Sequence, residues 1–162
     1  KKLSQKDTDA RWAKKNNNSY FGYKNHVKVD SKSKIIVKYM VTSASVHDSQ
    51  ALEGLLEEKD KGQDLHADSA YSGKNLEETI SDRKMRGKII EKGYKNKPLT
   101  DEQKASNREK SKIRSRVEHI FGFMEQCMNG TEVKNIGIQR VATVVGLMNL
   151  TYNMFRKVQL VG

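Results

Sequence analysis

Cysteine occurs once in this sequence, at Cys127, proline once, at Pro98, and tryptophan once, at Trp12. A lone cysteine excludes an internal disulfide framework and fits a reducing cytosol, so a cytoplasmic location is expected. No apolar run approaches the roughly 20 residues that a membrane-spanning helix needs, and the N-terminus lacks a signal-peptide pattern. His26, His66 and His119 have no metal-ligand spacing with one another or with Cys127, so zinc is not expected. At 162 residues the chain is one domain by length, with 35% hydrophobic and 31% charged residues. It starts without Met inside a basic polar stretch, which reads as a fragment.

Acidic residues are the scarce charge, with 20 Asp and Glu against 31 Lys and Arg, and the imbalance is uneven. Residues 1–40 hold 11 basic against 3 acidic residues, 41–80 hold 3 against 9, and 81–126 hold 13 against 7. Basic arms therefore flank an acidic middle. A net charge of +11 and a pI near 9.7 suit a polyanion partner or, equally, a solvated lysine-rich surface.

Residues 1–19 read as a basic irregular arm whose Asn triplet marks a turn. "GYKNHVKV" and "IIVKYMV", rich in β-branched and aromatic residues around the polar "DSKSK", predict a hairpin. "SVHDSQALEGLLEE" predicts a helix capped by Asp48 or Ser49. "DLHADSAY" reads as a strand. A helix follows from about Lys74, ended by Gly87, and then a strand at "KIIEK". After the proline loop, Thr100 or Asp101 caps a long helix to about Met128, with Ile113, Val117, Ile120, Phe121, Met124 and Met128 as its apolar stripe. A last helix runs from about Ile136 to Lys157. This order predicts an α/β fold, a mixed sheet packed by helices.

Asp68 sits where its strand should end, the edge at which α/β folds place ligand sites. Ser111, Arg114, Glu118 and Glu125 share one face of the long helix. Two carboxylates, Asp68 and Glu118, on separate rigid elements suit a divalent cation. The plainer reading makes Asp68 a cap or turn residue and Glu118 an ordinary partner of Arg114. Trp12, Tyr20, Phe21 and Tyr23 interleave with Arg11, Lys14, Lys15 and Lys24, as a stacking and phosphate-binding surface or as a β-edge with its core aromatics. Arg108, Lys110, Lys112, Arg114 and Arg116 precede Glu118 on one long helix, and only some of these can face one groove. His47 with Asp48 is expected to start a helix.

"DTDARW", "GYKNHVKVD", "VTSASVHDSQAL", "LHADSAY" and "RSRVEHIFG", in this order, resemble the catalytic domain of bacterial insertion-sequence DDE-type transposases over nearly the whole chain. The resemblance implies an RNase H-like mixed sheet flanked by helices. Two aspartates and a glutamate would hold two Mg²⁺ ions, Mn²⁺ substituting, that cleave double-stranded DNA at transposon ends and join it to target DNA. Asp68 matches the second aspartate, Glu118 the glutamate and Arg114 the signature arginine. Ser111 and Glu125 depart from the tyrosine and lysine often found at their positions, so a phosphate contact at 125 is in doubt.

The first aspartate belongs to a strand upstream of the "DTDARW" region, so residues 20–162 are expected to be one catalytic domain lacking its first strand. Asp7, Asp9 and Asp30 are not assigned that role. The resemblance further implies a bacterial, nucleoid-associated protein, working as a homodimer or with a partner that supplies the strand, and inactive as an isolated chain. Lys14, Lys15, Lys24, Arg108, Lys112 and Arg116 are the expected DNA contacts. The rivals are a non-catalytic remnant that binds DNA or a partner transposase, a split enzyme, and a general RNase H-like nuclease.

Overall fold

A computed structural model of the chain describes residues 6–15, 17–69, 73–130 and 132–162, without the side chains of Lys15 and residues 74–76. The chain divides into two compact units, Lys1–Leu55 with His119–Gly162, and Leu56–Glu118.

The first unit is built on three antiparallel strands, β1 (Arg11–Lys15), β2 (Asn18–Val29) and β3 (Ile36–Ser43), in the order β1-β2-β3. β1 lies in the stretch expected to be irregular. Its sequence, RWAKK, lacks apolar alternation, and its order comes from pairing with β2, where Trp12 faces Phe21 with ring centroids 5.2 Å apart. The β2–β3 turn falls on "DSKSK" as expected. Asp30 Oδ2 accepts from the Ser33 amide at 2.7 Å and hydroxyl at 2.6 Å, and Lys34 takes φ 62°. Those Ser33 bonds hold the Asp30 carboxyl below its usual range.

Helix α1 (Asp48–Leu55) buries Ala51, Leu52 and Leu55 in the first unit. Its cap is His47 rather than Asp48 or Ser49. The imidazole Nδ1 lies 2.7 Å from Ser49 Oγ and 3.3 Å from Ser49 N, and Gln50 N donates to the His47 carbonyl. Lys24 Nζ donates to Val46 O at 2.7 Å and to Asp48 Oδ1 at 3.0 Å, tying β2 to this helix start.

Helix α4 (Ile138–Val161) packs on β2 and β3 through a polar seam. Asn149 pairs with Asn25, and Asn153 both accepts from Ile36 N at 2.9 Å and donates to Ile36 O at 2.8 Å, as a neighbouring strand would. Tyr152 donates to Lys34 O at 3.0 Å and Arg156 to Ser33 O at 2.7 Å. Beneath lie Ile36, Ile120, Met124 and Tyr152, flanked by Val27, Val29, Phe123 and Met128. Ile120, fully buried, is the site where truncation to Ala should cost most, about 2–5 kcal/mol. Phe121, placed in the apolar stripe by its spacing, is exposed instead.

The second unit contains β4 (Asp64–Ala67), α2 (Lys74–Asp82) and β5 (Arg86–Ile89), with β4 and β5 parallel in the register Asp64↔Arg86 to Ala67↔Ile89. A parallel pair needs a crossover, and α2 supplies it, laying Ile80 against the pair. α2 ends at Asp82 and Lys84 takes φ 53°, so Gly87 is not the terminator. Gly87 lies in β5, where an added Cβ would make ordinary contact with Ile80. Residues 70–72 of the expected "DLHADSAY" strand lie outside the described residues.

Helix α3 (Asp101–Met128) opens with Thr100 as expected. Gln103 N donates to Thr100 Oγ1, and Thr100 N donates to Gln103 Oε1, a reciprocal capping box. The α/β class holds, but among the described residues the strands form two sheets rather than one.

Candidate active site

In the second unit the first half of α3 is docked to the end of β5 by Glu91. The Asn107 amide accepts from Glu91 N and donates to Glu91 O, both at 2.9 Å. Gln103 and Lys110 reach the Glu91 carboxylate at 2.7 and 3.3 Å. Four residues after Lys110, Arg114 points to Asp68, which directly follows β4. Arg114 Nη1 donates to Glu118 Oε1 at 2.6 Å, and Nη2 lies 3.7 Å from Asp68 Oδ2.

Two carboxylates fifty positions apart in sequence thus face one guanidinium. The i,i+4 spacing delivers the Arg114–Glu118 half of this arrangement from sequence alone. The Asp68 half depends on the docking of α3 at Glu91. Asp68 and Arg114 are about one-third exposed and Glu118 more so, which keeps water and ligand access open. Exposed pairs of this kind stabilise a fold by roughly 0.3–0.5 kcal/mol, so the cluster contributes little to folding.

The donor chemistry fits a hard divalent cation, for which one or two carboxylates plus waters and substrate phosphates suffice. Among the described residues no three His, Cys, Asp or Glu side chains cluster. The pair therefore fits one ion and falls short of a two-ion site. His66 lies two residues before Asp68, with Nδ1 buried and lacking a hydrogen-bond partner among the described residues, and burial pushes its pKa down.

The chain matches the Transposase DDE domain family over residues 2–154. It belongs to that family. Among curated relatives it is 31% identical over 151 residues to the "Transposase for insertion sequence element IS1106" of Neisseria meningitidis serogroup B. That match covers 93% of this chain and 52% of the relative, so the chain spans about half the relative's length. No solved structure matches. DDE transposase domains generally use divalent metal ions, and DNA transposition is the family's function in general. No helix among the described residues is long and apolar enough to cross a membrane.

Two other acids of this transposase domain, Asp7 and Asp9, are engaged elsewhere. Asp7 Oδ1 accepts from Tyr23 OH at 2.6 Å, Ala10 N at 3.0 Å and Asp9 N at 3.1 Å, while its Oδ2 accepts from Gly137 N at 3.1 Å. Asp9 Oδ2 accepts from Ile138 N at 3.0 Å. The "DTD" motif therefore caps the N-terminus of α4, where unpaired amides and the helix dipole favour negative charge. Burial opposes ionisation of Asp7, but the hydrogen bonds from Tyr23, Gly137, Ala10 and Asp9 prevail and hold its pKa low. Burial first, and then Asp7, push the Tyr23 phenol up. No sequence-local signal marks this cap, because Asp7 and Gly137 are 130 positions apart.

The basic residues divide by their commitments. Lys110 is held by Glu91 and Lys24 by Val46 and Asp48, so both ammonium groups have structural uses. Lys112 pairs with Glu109 on the exposed helix surface at 2.6 Å, and Arg108 is exposed. Arg116 is half-buried and has contacts of its own. Lys14 is exposed on β1, close in sequence to Trp12, Tyr20 and Phe21, all three also exposed. The Lys15 side chain lies outside the described residues. Ser111 and Glu125 are both exposed, and His119 contacts Lys34 at 3.3 Å.

Proposed function

We propose that this chain is part of the catalytic domain of a transposase that cleaves double-stranded DNA at transposon ends and transfers the strand to target DNA with Mg²⁺ or Mn²⁺. The observation that carries this reading is the meeting of Asp68 and Glu118 at one cationic side chain. Two carboxylates beside one guanidinium leave an excess negative charge that suits a divalent ion. Asp68 and Glu118 would hold an ion, which would supply positive charge to a reacting phosphodiester oxygen. Arg114 keeps the carboxylates apart and oriented, and its planar fork also suits a phosphate oxygen pair. Arg108, Lys112, Arg116, Lys14 and Lys15 are the DNA-phosphate contacts in this reading, with Lys24 left to its structural role.

An RNase H-like arrangement and a third carboxylate belong to the same proposal. In this reading the third ligand is the aspartate that the resemblance puts upstream of the "DTDARW" region, in the same protein or supplied by a partner. One observation favours a non-catalytic DNA-binding or partner-binding remnant instead: no three acids cluster among the described residues.

Plasmid nicking with Mg²⁺ or Mn²⁺ separates these readings. The 162-residue chain should cut little or not at all. A longer protein that includes the upstream part of the reading frame should cut, and should lose cutting with either Asp68→Ala or Glu118→Ala. Strong cutting by the 162-residue chain that Asp68→Ala abolishes contradicts the incomplete-site reading. Cutting by the longer protein that survives both substitutions contradicts the assignment of the acids.

A further inference from the structure

β4 and β5 are parallel, so Asp68 and the segment that follows β5 leave the sheet at the same edge. That segment, "EKGYKNKP", folds into a tight hairpin ahead of α3. Tyr94 N donates to Lys97 O and Lys97 N to Tyr94 O, both at 3.0 Å, which closes a turn over Lys95 and Asn96. Gly93 lets the chain double back, since a Cβ there would lie 3.3 Å from Leu99 Cγ and 3.4 Å from Leu99 N. Tyr94 is 66% exposed, and Lys92, Lys95 and Lys97 are exposed with it. The acids that flank the hairpin are engaged elsewhere. Glu91 holds Gln103 and Lys110, Asp101 holds Lys104, and no acid lies between Glu91 and Asp101.

A run of lysines is usually a solvated surface, and the placement of this one sets it apart. α3 runs from the hairpin to the acid pair, with Arg108 and Lys112 exposed between them and four residues apart. From Asp101 to Arg114 the helix rises about 20 Å. That is a little over half of the roughly 34 Å turn of duplex DNA, so a duplex lying along α3 reaches both ends. From this placement and charge we infer that residues 92–97 form a second grip on the phosphate backbone of duplex DNA. Lys92, Lys95, Lys97 and the Tyr94 hydroxyl meet phosphates about half a turn from the one at Asp68 and Glu118. Contacts of this kind fix the register and orientation of the duplex without reading its sequence. The ligand, duplex DNA, rests on the function proposed above.

Fluorescence anisotropy of a labelled duplex of roughly three helical turns, across a salt series, tests the grip. Lys95→Gln with Lys97→Gln should weaken binding by roughly tenfold and make the salt dependence shallower by about two phosphate contacts. Lys61→Gln with Lys84→Gln removes the same charge at the opposite edge of the sheet, before β4 and β5, and should change both far less. Tyr94→Ala should weaken binding at an unchanged salt slope, because it removes a neutral contact. Circular dichroism and Mn²⁺ binding should match the parent in every one of these variants. Mn²⁺ binding indifferent to Asp68→Asn and Glu118→Gln, beside a hairpin variant that still loses DNA, defeats the reading of the acids and leaves the grip standing. A hairpin double variant that loses no more than the opposite-edge control overturns the grip. Binding indifferent to Tyr94→Ala, or a chain that binds no duplex, overturns it as well.

Discussion

Arg114 joins Asp68 from a different secondary-structure element, with 3.7 Å between Nη2 and Oδ2, while its other terminal nitrogen is bonded to Glu118. One cation thus bridges two acids and offsets part of their mutual repulsion. Arg114→Gln should leave thermal stability within about 1 kcal/mol of the parent, since exposed ion pairs contribute little. It should also tighten Mn²⁺ binding, because a competing positive charge has gone. Differential scanning calorimetry and a Mn²⁺ titration read the two effects separately. Arg114→Lys should reproduce the parent poorly, because an ammonium cannot fork between two carboxylates.

The cap on α4 is a second test. Asp7→Ala should lower stability by about 1–2 kcal/mol, the usual cost of a lost N-terminal cap. Tyr23→Phe should cost about 1 kcal/mol. The double variant should cost less than the sum, since Tyr23 donates to Asp7 itself. Urea unfolding followed by fluorescence of Trp12, the only tryptophan, reports on the unit that contains the cap.

Acid should weaken the first unit in two stages. His26 is buried beside Thr42, and burial, only partly offset by Asp48, lowers its pKa below the ordinary 6.5. Its neutral form is the one the fold accepts, so this contribution is complete above about pH 6.5 and declines as pH falls from there through the lowered folded value. Asp7 and Asp30 have pKa values held below the usual carboxylate range. Their contribution is complete above roughly pH 4 and declines as pH falls towards their lowered values. Unfolding midpoints measured from pH 8 to pH 3 should show both declines, and Asp7→Asn should flatten only the lower one.

DNA binding should separate Lys24 from the exposed basic residues of α3. Arg108→Gln and Lys112→Gln should each weaken binding and reduce the salt dependence by about one phosphate contact. Lys24→Met should instead lower stability, because its ammonium holds the start of α1, and should leave the salt slope unchanged. Fluorescence anisotropy across a salt series measures both.

Local signals in the sequence carried much of the architecture. The β2–β3 turn announced itself through Asp30 and Ser33, and the start of α3 through Thr100 and Gln103, because in each case the partners lie three residues apart. β1 was invisible because RWAKK has no apolar period and is ordered by a neighbouring strand. Gly87 misled because it lies in β5 rather than at the helix end, where Lys84 took the left-handed position instead. At the candidate site, Arg114 with Glu118 was legible from helical spacing. The approach of Asp68 rests on Asn107 gripping Glu91 and was not. The cap formed by Asp7 and Asp9 was missed for the same reason, since its partners are remote in sequence.

The most direct measurement is a Mn²⁺ titration of the chain followed by electron paramagnetic resonance, alongside Asp68→Asn, Glu118→Gln and the double variant. The expected result is one saturable ion, with either single substitution weakening it by about tenfold or more and the double variant adding little, as befits two ligands of a single site. Unchanged Mn²⁺ binding in the double variant would contradict the claim that Asp68 and Glu118 share a cation.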